Sequence, residues 1–365
     1  MTSVVLAGGG TAGHTSPLIA TAKALQARGV TELVAVGTER GLEVRVIPEA
    51  GLDLELVTPV PMPRKPNLDL LKLPFTLTKS VAESRRVLKA HKADVVVGFG
   101  GYVSIPVYLA ARTMGLPVVV HEANKLPGIA NKIGARFAKY VATTFDTPMP
   151  GEATHKIGMP MARRITDPEL TPAEARSEFG LDEDRPTLLV SGGSQGAVAI
   201  NKAVAGATER ILADGIQILH VLGPKNFSDE HQVITHDSGA QYRPVEFVSD
   251  MGRAYTAADL MVGRAGAGTV METAVSGLPV IFIPLPWGNG EQGKNASDLV
   301  AAGGGMLLEE SQLTAETLAE RVCNLFSESG KLEAMSATAK GMYPADAADV
   351  LAEAVLAAAV EKGTL

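Results

Sequence analysis

Short apolar runs rich in β-branched residues alternate along this chain with longer segments of helical periodicity. Several runs are apolar at nearly every position, as in Val95-Val96-Val97 and Pro117-Val118-Val119-Val120, which is typical of strands buried on both faces. Alternation of strands and helices predicts α/β domains built on doubly wound parallel sheets. The predicted strands cover residues 3–7, 33–37, 54–57, 94–98, 117–120, 140–143, 187–191, 217–222, 242–246, 260–262, 279–283 and 305–308.

The expected domain organisation follows from the length of the chain and from its prolines. A chain of 365 residues favours two domains. We place the linker in a polar, proline-containing stretch at 158–172, so that one Rossmann-like domain covers 1–160 and a second covers 161–344. An Ala-rich helix is predicted at about 345–361, and we expect the segment 345–365 to pack back on the first domain. Its apolar face is formed by Val350, Leu351, Val355 and Leu356.

Composition and charge narrow the class of protein. Cys323 is the only cysteine, which excludes an internal disulfide framework and fits a reducing compartment. We expect neither a signal peptide nor a membrane-spanning helix. The net charge of −7 is uneven, because residues 1–160 carry 18 Lys and Arg against 12 Asp and Glu, whereas residues 161–365 carry 15 against 28. The basic first half predicts a polyanionic partner.

Each half of the chain contains a strand that runs into a glycine-rich turn and then a helix. The first turn reads Gly8-Gly9-Gly10-Thr11-Ala12-Gly13, and the second reads Ser191-Gly192-Gly193-Ser194-Gln195-Gly196. Glycine permits a close approach of backbone N–H groups to a ligand, and the helix start adds donors and a positive dipole end. The pair predicts two domains that face a common cleft holding charged or phosphorylated substrates.

The first turn is compatible with more than one chemistry. Its spacing Gly8-x-Gly10-x-x-Gly13 matches the dinucleotide fingerprint, with Glu32 or Glu39 as candidates for the acidic residue of that motif. The same residues form a phosphate loop in which His14 replaces lysine, and this disfavours nucleotide hydrolysis. Near a helix start, a neutral His14 can instead accept a proton from an attacking hydroxyl.

Three further motifs follow predicted strands. Gly98-Phe99-Gly100-Gly101-Tyr102 is a third glycine turn, which suits ligand binding and close packing equally. His121-Glu122-Ala123-Asn124 offers an imidazole, a carboxylate and an amide for sugar hydroxyls, although a structural role fits these residues as well. In the stretch 263–272, turn N–H groups can hold a diphosphate while Glu272 accepts from ribose hydroxyls. Gln292, in the next polar loop, is positioned to reach the same ligand.

The basic excess of the first half is concentrated in residues 64–92. Apolar and basic side chains are interleaved there, which favours contact with an anionic membrane surface over a plain amphipathic surface segment. The residues expected at the membrane are Leu70, Leu71, Leu73, Phe75, Lys72, Lys79, Arg85 and Arg86.

Taken in order, these motifs resemble the MurG family of glycosyltransferases over nearly the whole chain. The resemblance implies a GT-B architecture of two Rossmann-like domains. It also implies transfer of N-acetylglucosamine from UDP-GlcNAc to the C4 hydroxyl of undecaprenyl-diphospho-MurNAc-pentapeptide, with inversion, in peptidoglycan synthesis. Neither a metal nor another cofactor is implied. The implied location is peripheral, on the cytoplasmic face of the cell membrane, with cell-wall synthesis proteins as further partners and no nucleic acid.

The resemblance also implies roles for positions of this sequence. His14 and Glu122 are both candidates for the general base, and the sequence does not separate them. The chain departs from the family pattern at Ala12, where glycine is common, at Ala123, where Gln is frequent, and at Arg163, which lies one position past the expected linker arginine. The implied UDP-GlcNAc contacts are Thr11, Ala12, Gly13, Asn124, Arg163, Ser194, Val248, Ala267, Gly268, Thr269, Val270, Met271, Glu272 and Gln292.

Two other functions remain as alternatives at this point. An NAD(P)-dependent oxidoreductase would use the Gly8-Gly10-Gly13 turn but leaves the second glycine turn unexplained. A non-catalytic nucleotide-sugar-binding or membrane-scaffold protein would not require His14.

Overall fold

The chain folds into two compact units, each with its own sheet. The computed structural model describes residues 2–60, 69–151, 153–287 and 290–361, without the side chains of 69–72 and 361. Unit 1 comprises Met1–Ala162 and Pro344–Leu365, and unit 2 comprises Arg163–Tyr343. Each sheet has seven strands among the described residues.

Unit 1 is a parallel α/β domain. Its strands are β1 (Ser3–Gly8), β2 (Glu32–Gly37), β3 (Asp53–Leu56), β4 (Val95–Gly100), β5 (Val118–Glu122), β6 (Tyr140–Thr143) and β7 (Thr154–Lys156). All pair in parallel, in the order β3-β2-β1-β4-β5-β6-β7. The order reverses between β1 and β4, which creates a topological switch point where ligands bind at the carboxyl ends of strands. The helices are α1 (Ala12–Ala27), α2 (Glu43–Glu49), α3 (Asp69–Ala90), α4 (Ser104–Thr113) and α5 (Ile129–Ala135).

Alternate residues of β1 face opposite sides of this sheet. Val4 and Leu6 belong to one apolar cluster, whereas Val5 and Ala7 belong to the other. All four are fully buried, as expected for a strand covered by helices on both faces. The glycine turn that follows β1 is therefore anchored to a fully buried strand of unit 1.

Unit 2 repeats this architecture with a different edge. Its strands are β8 (Thr187–Ser191), β9 (Gln217–Val221), β10 (Ile234–Thr235), β11 (Gln241–Val245), β12 (Leu260–Gly263), β13 (Val280–Phe282) and β14 (Gly305–Leu307). The order is β10-β11-β9-β8-β12-β13-β14, and only the β10–β11 pair is antiparallel among the described strands. The helices are α6 (Arg163–Thr166), α7 (Pro172–Glu178), α8 (Val198–Ala213), α9 (Met251–Ala257), α10 (Ala267–Ser276), α11 (Glu291–Ala302), α12 (Ala315–Ser327) and α13 (Lys331–Lys340).

The last helix, α14 (Ala347–Glu361), belongs to unit 1 and packs against α1. Its buried face is spaced by three and four residues, as an amphipathic helix requires. Val350 and Leu356, expected on this face, are only partly buried. Arg28 on α1 forms ion pairs with Asp349 and Glu353 at 2.5 and 3.1 Å. The buried face consists of Ala347, Leu351, Ala352, Val355 and Ala358.

The predicted fold class of two parallel α/β domains is confirmed, with differences at particular strands. β7 and β10 are absent from the prediction because they are short and largely exposed, so neither carries an apolar run. β5 extends to Glu122, beyond the predicted end at 120. His121 and Glu122 are therefore buried strand residues, and not loop residues after the strand as the sequence suggested.

Candidate active site

His14 lies in the first turn of α1, directly after the glycine turn of β1. Its Nδ1 is 2.9 Å from the carbonyl oxygen of Gly9. Because a carbonyl can only accept a hydrogen bond, Nδ1 carries the proton in this contact. In the neutral ring, the lone pair is then on Nε2, which is the atom that can accept a proton.

The third glycine turn makes room for this histidine. Gly100 has a φ of +98°, and a Cβ there would lie 3.1 Å from Cδ2 and Nε2 of His14. A Cβ on Gly101 would lie 2.6 Å from the carbonyl oxygen of Gly9. Both positions therefore require glycine for close packing. This contact explains a motif for which the sequence alone left ligand binding and packing equally open.

Glu43 is a buried carboxylate bonded to the first glycine turn, and no sequence pattern indicated it. The backbone N–H of Gly10 donates to its Oε2 at 2.7 Å. The backbone N–H and the hydroxyl of Thr38 donate to its Oε1 at 3.0 and 2.9 Å. Glu32 and Glu39, the acidic residues considered for a dinucleotide site, are exposed. A negative charge bonded to the turn disfavours a dinucleotide diphosphate at this position.

Glu122 has both carboxylate oxygens engaged inside unit 1. Oε1 accepts from the backbone N–H of Asn124, and Oε2 accepts from the backbone N–H of Gly128 and the side-chain amide of Asn131, each at 2.9 Å. Burial raises the pKa of Glu122, and these hydrogen bonds oppose that rise. The arrangement holds the segment after β5 in place and positions Asn124, which is partly exposed.

His121 faces the core. It is fully buried, and its Nε2 lies 3.3 Å from the carbonyl oxygen of Gly158, to which it donates. Burial lowers the pKa of His121 to about 4. The ring is therefore neutral near pH 7 and serves as a core residue of unit 1.

In unit 2, the turn between β12 and α10 exposes backbone at a helix start. Gly266 is the N-cap of α10. Val270 and Met271 are fully buried, so only their backbone can reach a ligand. Gly268, Thr269 and Glu272 are partly exposed. The first turn of α10 thus offers N–H groups and a positive dipole end to an anion.

Glu272 is held by a neighbouring helix. The hydroxyl of Tyr255, on α9, donates to its Oε2 at 2.8 Å. Burial raises the pKa of Glu272 to about 7, while the bond from Tyr255 and the charge of Arg164 act in the opposite direction. Arg164 also pairs with Asp250 at 3.0 Å. Of the two adjacent arginines, Arg164 is the one whose charge lowers the pKa of Glu272, and both Arg164 and the predicted Arg163 are exposed residues of α6.

The loop after β13 is tied to this turn. The buried Arg264 donates to the carbonyl oxygens of Ile283 and Pro284 at 3.1 and 3.2 Å and forms an ion pair with Glu310 at 2.5 Å. Gln292 accepts a hydrogen bond from the backbone N–H of Leu285 at 3.1 Å. These contacts connect the loop after β13 to the turn that precedes α10 and to Gln292, which lies in the first turn of α11 and not in a loop as the sequence suggested.

The second glycine turn packs against the loop after β9. A Cβ on Gly196 would collide with the carbonyl oxygen of Leu222. Asn226 donates to the carbonyl oxygens of Gln195 and Leu222, each at 3.1 Å. Ser194 is exposed at the apex of the turn. Val248, which follows β11, is buried and contributes an apolar surface.

Part of the basic segment of unit 1 forms α3, and its described side chains range from partly buried to exposed. Leu70, Leu71, Lys72 and the preceding basic pair Arg64 and Lys65 lie outside the described side chains. Phe75 is 80% exposed, and Leu73 is partly buried. No helix in the described ranges is both long and apolar enough to cross a bilayer. The remaining predicted residues are Lys79 (paired with Glu83 at 3.7 Å), Arg85 (bonded to Thr113 at 3.1 Å) and the exposed Arg86.

Family models match both halves of the chain. The glycosyltransferase family 28 N-terminal domain matches residues 4–143, and the family 28 C-terminal domain matches residues 187–351. Neither match supports the oxidoreductase alternative. The prediction that the chain is a glycosyltransferase is therefore confirmed.

Named relatives and solved structures agree with these matches. A Cutibacterium acnes protein is 54% identical over 98% of both chains, and a Nocardioides protein is 49% identical over 97% of both. Both are called UDP-N-acetylglucosamine--N-acetylmuramyl-(pentapeptide) pyrophosphoryl-undecaprenol N-acetylglucosamine transferase. The crystal structure of Acinetobacter baumannii MurG has a TM-score of 0.76 at 28% identity and covers 98% of this chain and 100% of its own.

A more distant structure supports the fold alone. The kitacinnamycin glycosyltransferase has a TM-score of 0.71 at 15% identity, with 98% of this chain and 99% of that chain covered. Together with the two parallel sheets, these neighbours confirm the predicted GT-B class of two Rossmann-like domains. The chain belongs to the MurG family of glycosyltransferases, within glycosyltransferase family 28.

Proposed function

We propose that this protein transfers N-acetylglucosamine from UDP-GlcNAc to the C4 hydroxyl of undecaprenyl-diphospho-MurNAc-pentapeptide. The observation that carries the proposal is the near-full-length match to relatives named for this transfer, at 46–54% identity. The reaction forms a bond between the acceptor oxygen and the anomeric carbon and breaks the bond from that carbon to the diphosphate. Attack from the face opposite the leaving UDP inverts the anomeric centre.

His14 is the general base of this proposal. Its Nδ1 proton is engaged by the Gly9 carbonyl, which supports Nε2 as the atom that takes the proton of the acceptor hydroxyl. Glu122, the other candidate, has both oxygens occupied by three donors inside unit 1. We therefore assign Glu122 to positioning Asn124, which in turn contacts the donor sugar.

Unit 2 binds the donor nucleotide in this proposal. Glu272 accepts hydrogen bonds from the ribose hydroxyls, and Val248 lies beside the uracil. Ser194 and the start of α10 hold the diphosphate, whose negative charge grows as the glycosidic bond breaks. Backbone N–H groups and the helix dipole stabilise that developing charge. The remaining donor contacts are Thr11, Ala12, Gly13, Arg163, Ala267, Gly268, Thr269, Val270, Met271 and Gln292.

The lipid-linked acceptor places the enzyme at a membrane surface. We propose that α3, with the exposed Phe75 and its basic side chains, contacts anionic lipids on the cytoplasmic face. This peripheral location brings the enzyme to its acceptor and to other proteins of cell-wall synthesis.

The transfer is tested by UDP release from the full chain. The reaction contains UDP-GlcNAc and a MurNAc-pentapeptide diphosphate on a short prenyl chain. We expect UDP release that depends on the acceptor and a product heavier by one N-acetylhexosamine. UDP-GalNAc, the C4 epimer, is the matched control and should react poorly. Release of UDP that is independent of the acceptor would contradict the proposal.

Donor binding can be followed separately through Trp287. This is the only tryptophan, it is 69% exposed, and it lies in the loop that precedes Gln292. We expect quenching of its fluorescence by UDP-GlcNAc and not by NADH. Quenching by NADH alone would count against the transferase.

A further inference from the structure

One peptide unit of the first glycine turn is hydrogen-bonded at both of its ends. The carbonyl oxygen of Gly9 accepts from Nδ1 of His14 at 2.9 Å. The N–H of the same peptide, which belongs to Gly10, donates to Oε2 of Glu43 at 2.7 Å. A carboxylate, a single peptide group and an imidazole therefore form one continuous chain of hydrogen bonds.

We propose that Glu43 is the positioning residue of the catalytic base and acts on His14 through the Gly9–Gly10 peptide. This inference rests on the proposed function, in which His14 takes the acceptor proton. Glu43 touches neither substrate nor the reacting atoms in this scheme. Its carboxylate fixes the peptide that selects the tautomer and orientation of the imidazole.

The surroundings of Glu43 are built around its carboxylate. Glu43 is fully buried, and Thr38 supplies two further donors to it. A Cβ at Gly9, Gly37 or Gly41 would collide with the Glu43 side chain. Three glycines therefore make room for one buried carboxylate. A strand–helix turn without a functional role requires no such acidic group.

The hydrogen bonds from Glu43 through the Gly9–Gly10 peptide to His14 affect the imidazole in a definite direction. A negative charge at the N–H end polarises the peptide and strengthens its carbonyl as an acceptor. A stronger acceptor favours the Nδ1–H tautomer, which leaves Nε2 able to receive a proton. It also stabilises the imidazolium that forms when the acceptor hydroxyl is deprotonated. No proton crosses the peptide in this scheme, since the proton of the hydroxyl remains on Nε2.

The test replaces Glu43 by Gln in the full chain, a change that keeps the volume and removes the charge. We expect kcat to fall roughly tenfold while the KM for UDP-GlcNAc stays unchanged. The acid limb of the pH profile of kcat/KM should move to lower pH, because the imidazolium has lost its stabilising charge. Glu49→Gln is the matched control, since Glu49 lies on the same helix with an exposed side chain. It should leave kcat and the profile unchanged.

The spectroscopic readout is the tautomer of His14, followed by ¹⁵N NMR of histidine-labelled protein. The protein has seven histidines, and the signals of His14 are assigned as those that disappear in His14→Gln. In the wild type, Nδ1 should carry the proton, and Glu43→Gln should raise the fraction protonated at Nε2. A folded Glu43→Gln variant with unchanged His14 signals would overturn the inference, even if its kcat fell. Should this variant fail to fold, a wild-type His14 protonated at Nε2 overturns it as well.

Failure of this inference differs from failure of the proposed function. If His14→Ala retains wild-type turnover, the base itself is wrongly assigned and the proposed mechanism fails. If His14→Ala loses turnover while Glu43→Gln leaves both the pH profile and the tautomer unchanged, only the role of Glu43 fails.

Discussion

The glycine turns after β1 and β8 share one backbone feature and differ in the charge of the groups that they contact. Gly10 and Gly193 both have a φ of +89°, and a Cβ at either would meet nothing within 4 Å. Both glycines are therefore required by backbone conformation and not by lack of space. Each turn also follows a strand at the switch point of its sheet. This shared feature alone does not distinguish the ligands of the two turns.

Their hydrogen-bond partners distinguish them. The N–H of Gly10 donates to the buried carboxylate of Glu43, whereas the second turn is held by neutral groups, including the amide of Asn226. A carboxylate bonded to the first turn repels a second anion, while neutral contacts leave the second turn suited to a diphosphate. This difference supports the proposal that the second turn holds the donor diphosphate, whereas the first turn carries the base His14 and does not hold the diphosphate.

The largest effect that tests this division is expected from His14→Ala. Loss of a general base lowers kcat by roughly 10²- to 10⁴-fold, and the KM for UDP-GlcNAc should remain near its wild-type value. Initial rates at varied donor concentration separate the two parameters. A rise in donor KM as large as the fall in kcat would mean that His14 acts chiefly in donor binding, and its assignment as the base would fail.

Glu272→Gln in unit 2 is expected to change the KM for UDP-GlcNAc and not kcat. Loss of charged hydrogen bonds to the ribose should raise the KM for UDP-GlcNAc roughly tenfold to a hundredfold, with little change in kcat. A donor with a 2′-deoxyribose is the control, because it lacks one of the hydroxyls that we propose Glu272 contacts and should respond less to the substitution. Equal responses of the two donors would contradict the ribose contact.

The same residue predicts a pH dependence of donor binding. The pKa of Glu272 is raised by burial to about 7, so the carboxyl is ionised above that pH and protonated below it. Since a protonated carboxyl loses an acceptor oxygen, the KM for UDP-GlcNAc should rise as the pH falls from 8 to 6. Glu272→Gln should abolish this trend. Persistence of the full trend in the variant would assign it to another group.

Ser194→Asp places a negative charge at the second turn, as Glu43 does at the first. Ser194 is exposed at the apex of its turn, and a carboxylate there should repel the diphosphate. We expect the affinity for UDP-GlcNAc to fall roughly tenfold, measured by titration of Trp287 fluorescence. Ser194→Asn, which is similar in size and neutral, should retain more of the affinity. Equal losses in both variants would indicate that size, and not charge, matters at this turn.

The features that depend on a local sequence pattern were predictable from the sequence. Runs such as Val95-Val96-Val97 identify buried strands because each residue contributes apolar surface independently of its partners. His14 was identified because it adjoins the glycine turn along the chain. Glu43 was missed because its bond to Gly10 spans 33 positions, and a carboxylate after Gly41 has no distinctive local pattern.

Other parts of the candidate site depend on how elements are oriented. The bond from Tyr255 to Glu272 requires α9 and α10 to pack side by side, which neither segment indicates alone. The choice between Arg163 and Arg164 depends on the rotation of the short α6 relative to Glu272. Such features come from tertiary packing, so sequence reasoning could name the elements but not the contacts between them.

The smallest expected effect concerns the membrane and extends the comparison from the turns to the two units. Phe75 on α3 is 80% exposed, and shallow insertion of its ring into lipid should add to the attraction of the basic side chains. Phe75→Asp should weaken co-sedimentation with vesicles of phosphatidylglycerol and phosphatidylcholine roughly threefold to tenfold.

Val198→Asp is the matched control, because Val198 is 72% exposed and lies in unit 2. It should leave vesicle binding unchanged, since the division of roles assigns membrane contact to unit 1 alone. Equal losses in the two variants would show that binding does not distinguish the units, and an unchanged Phe75→Asp variant would remove α3 from the membrane contact.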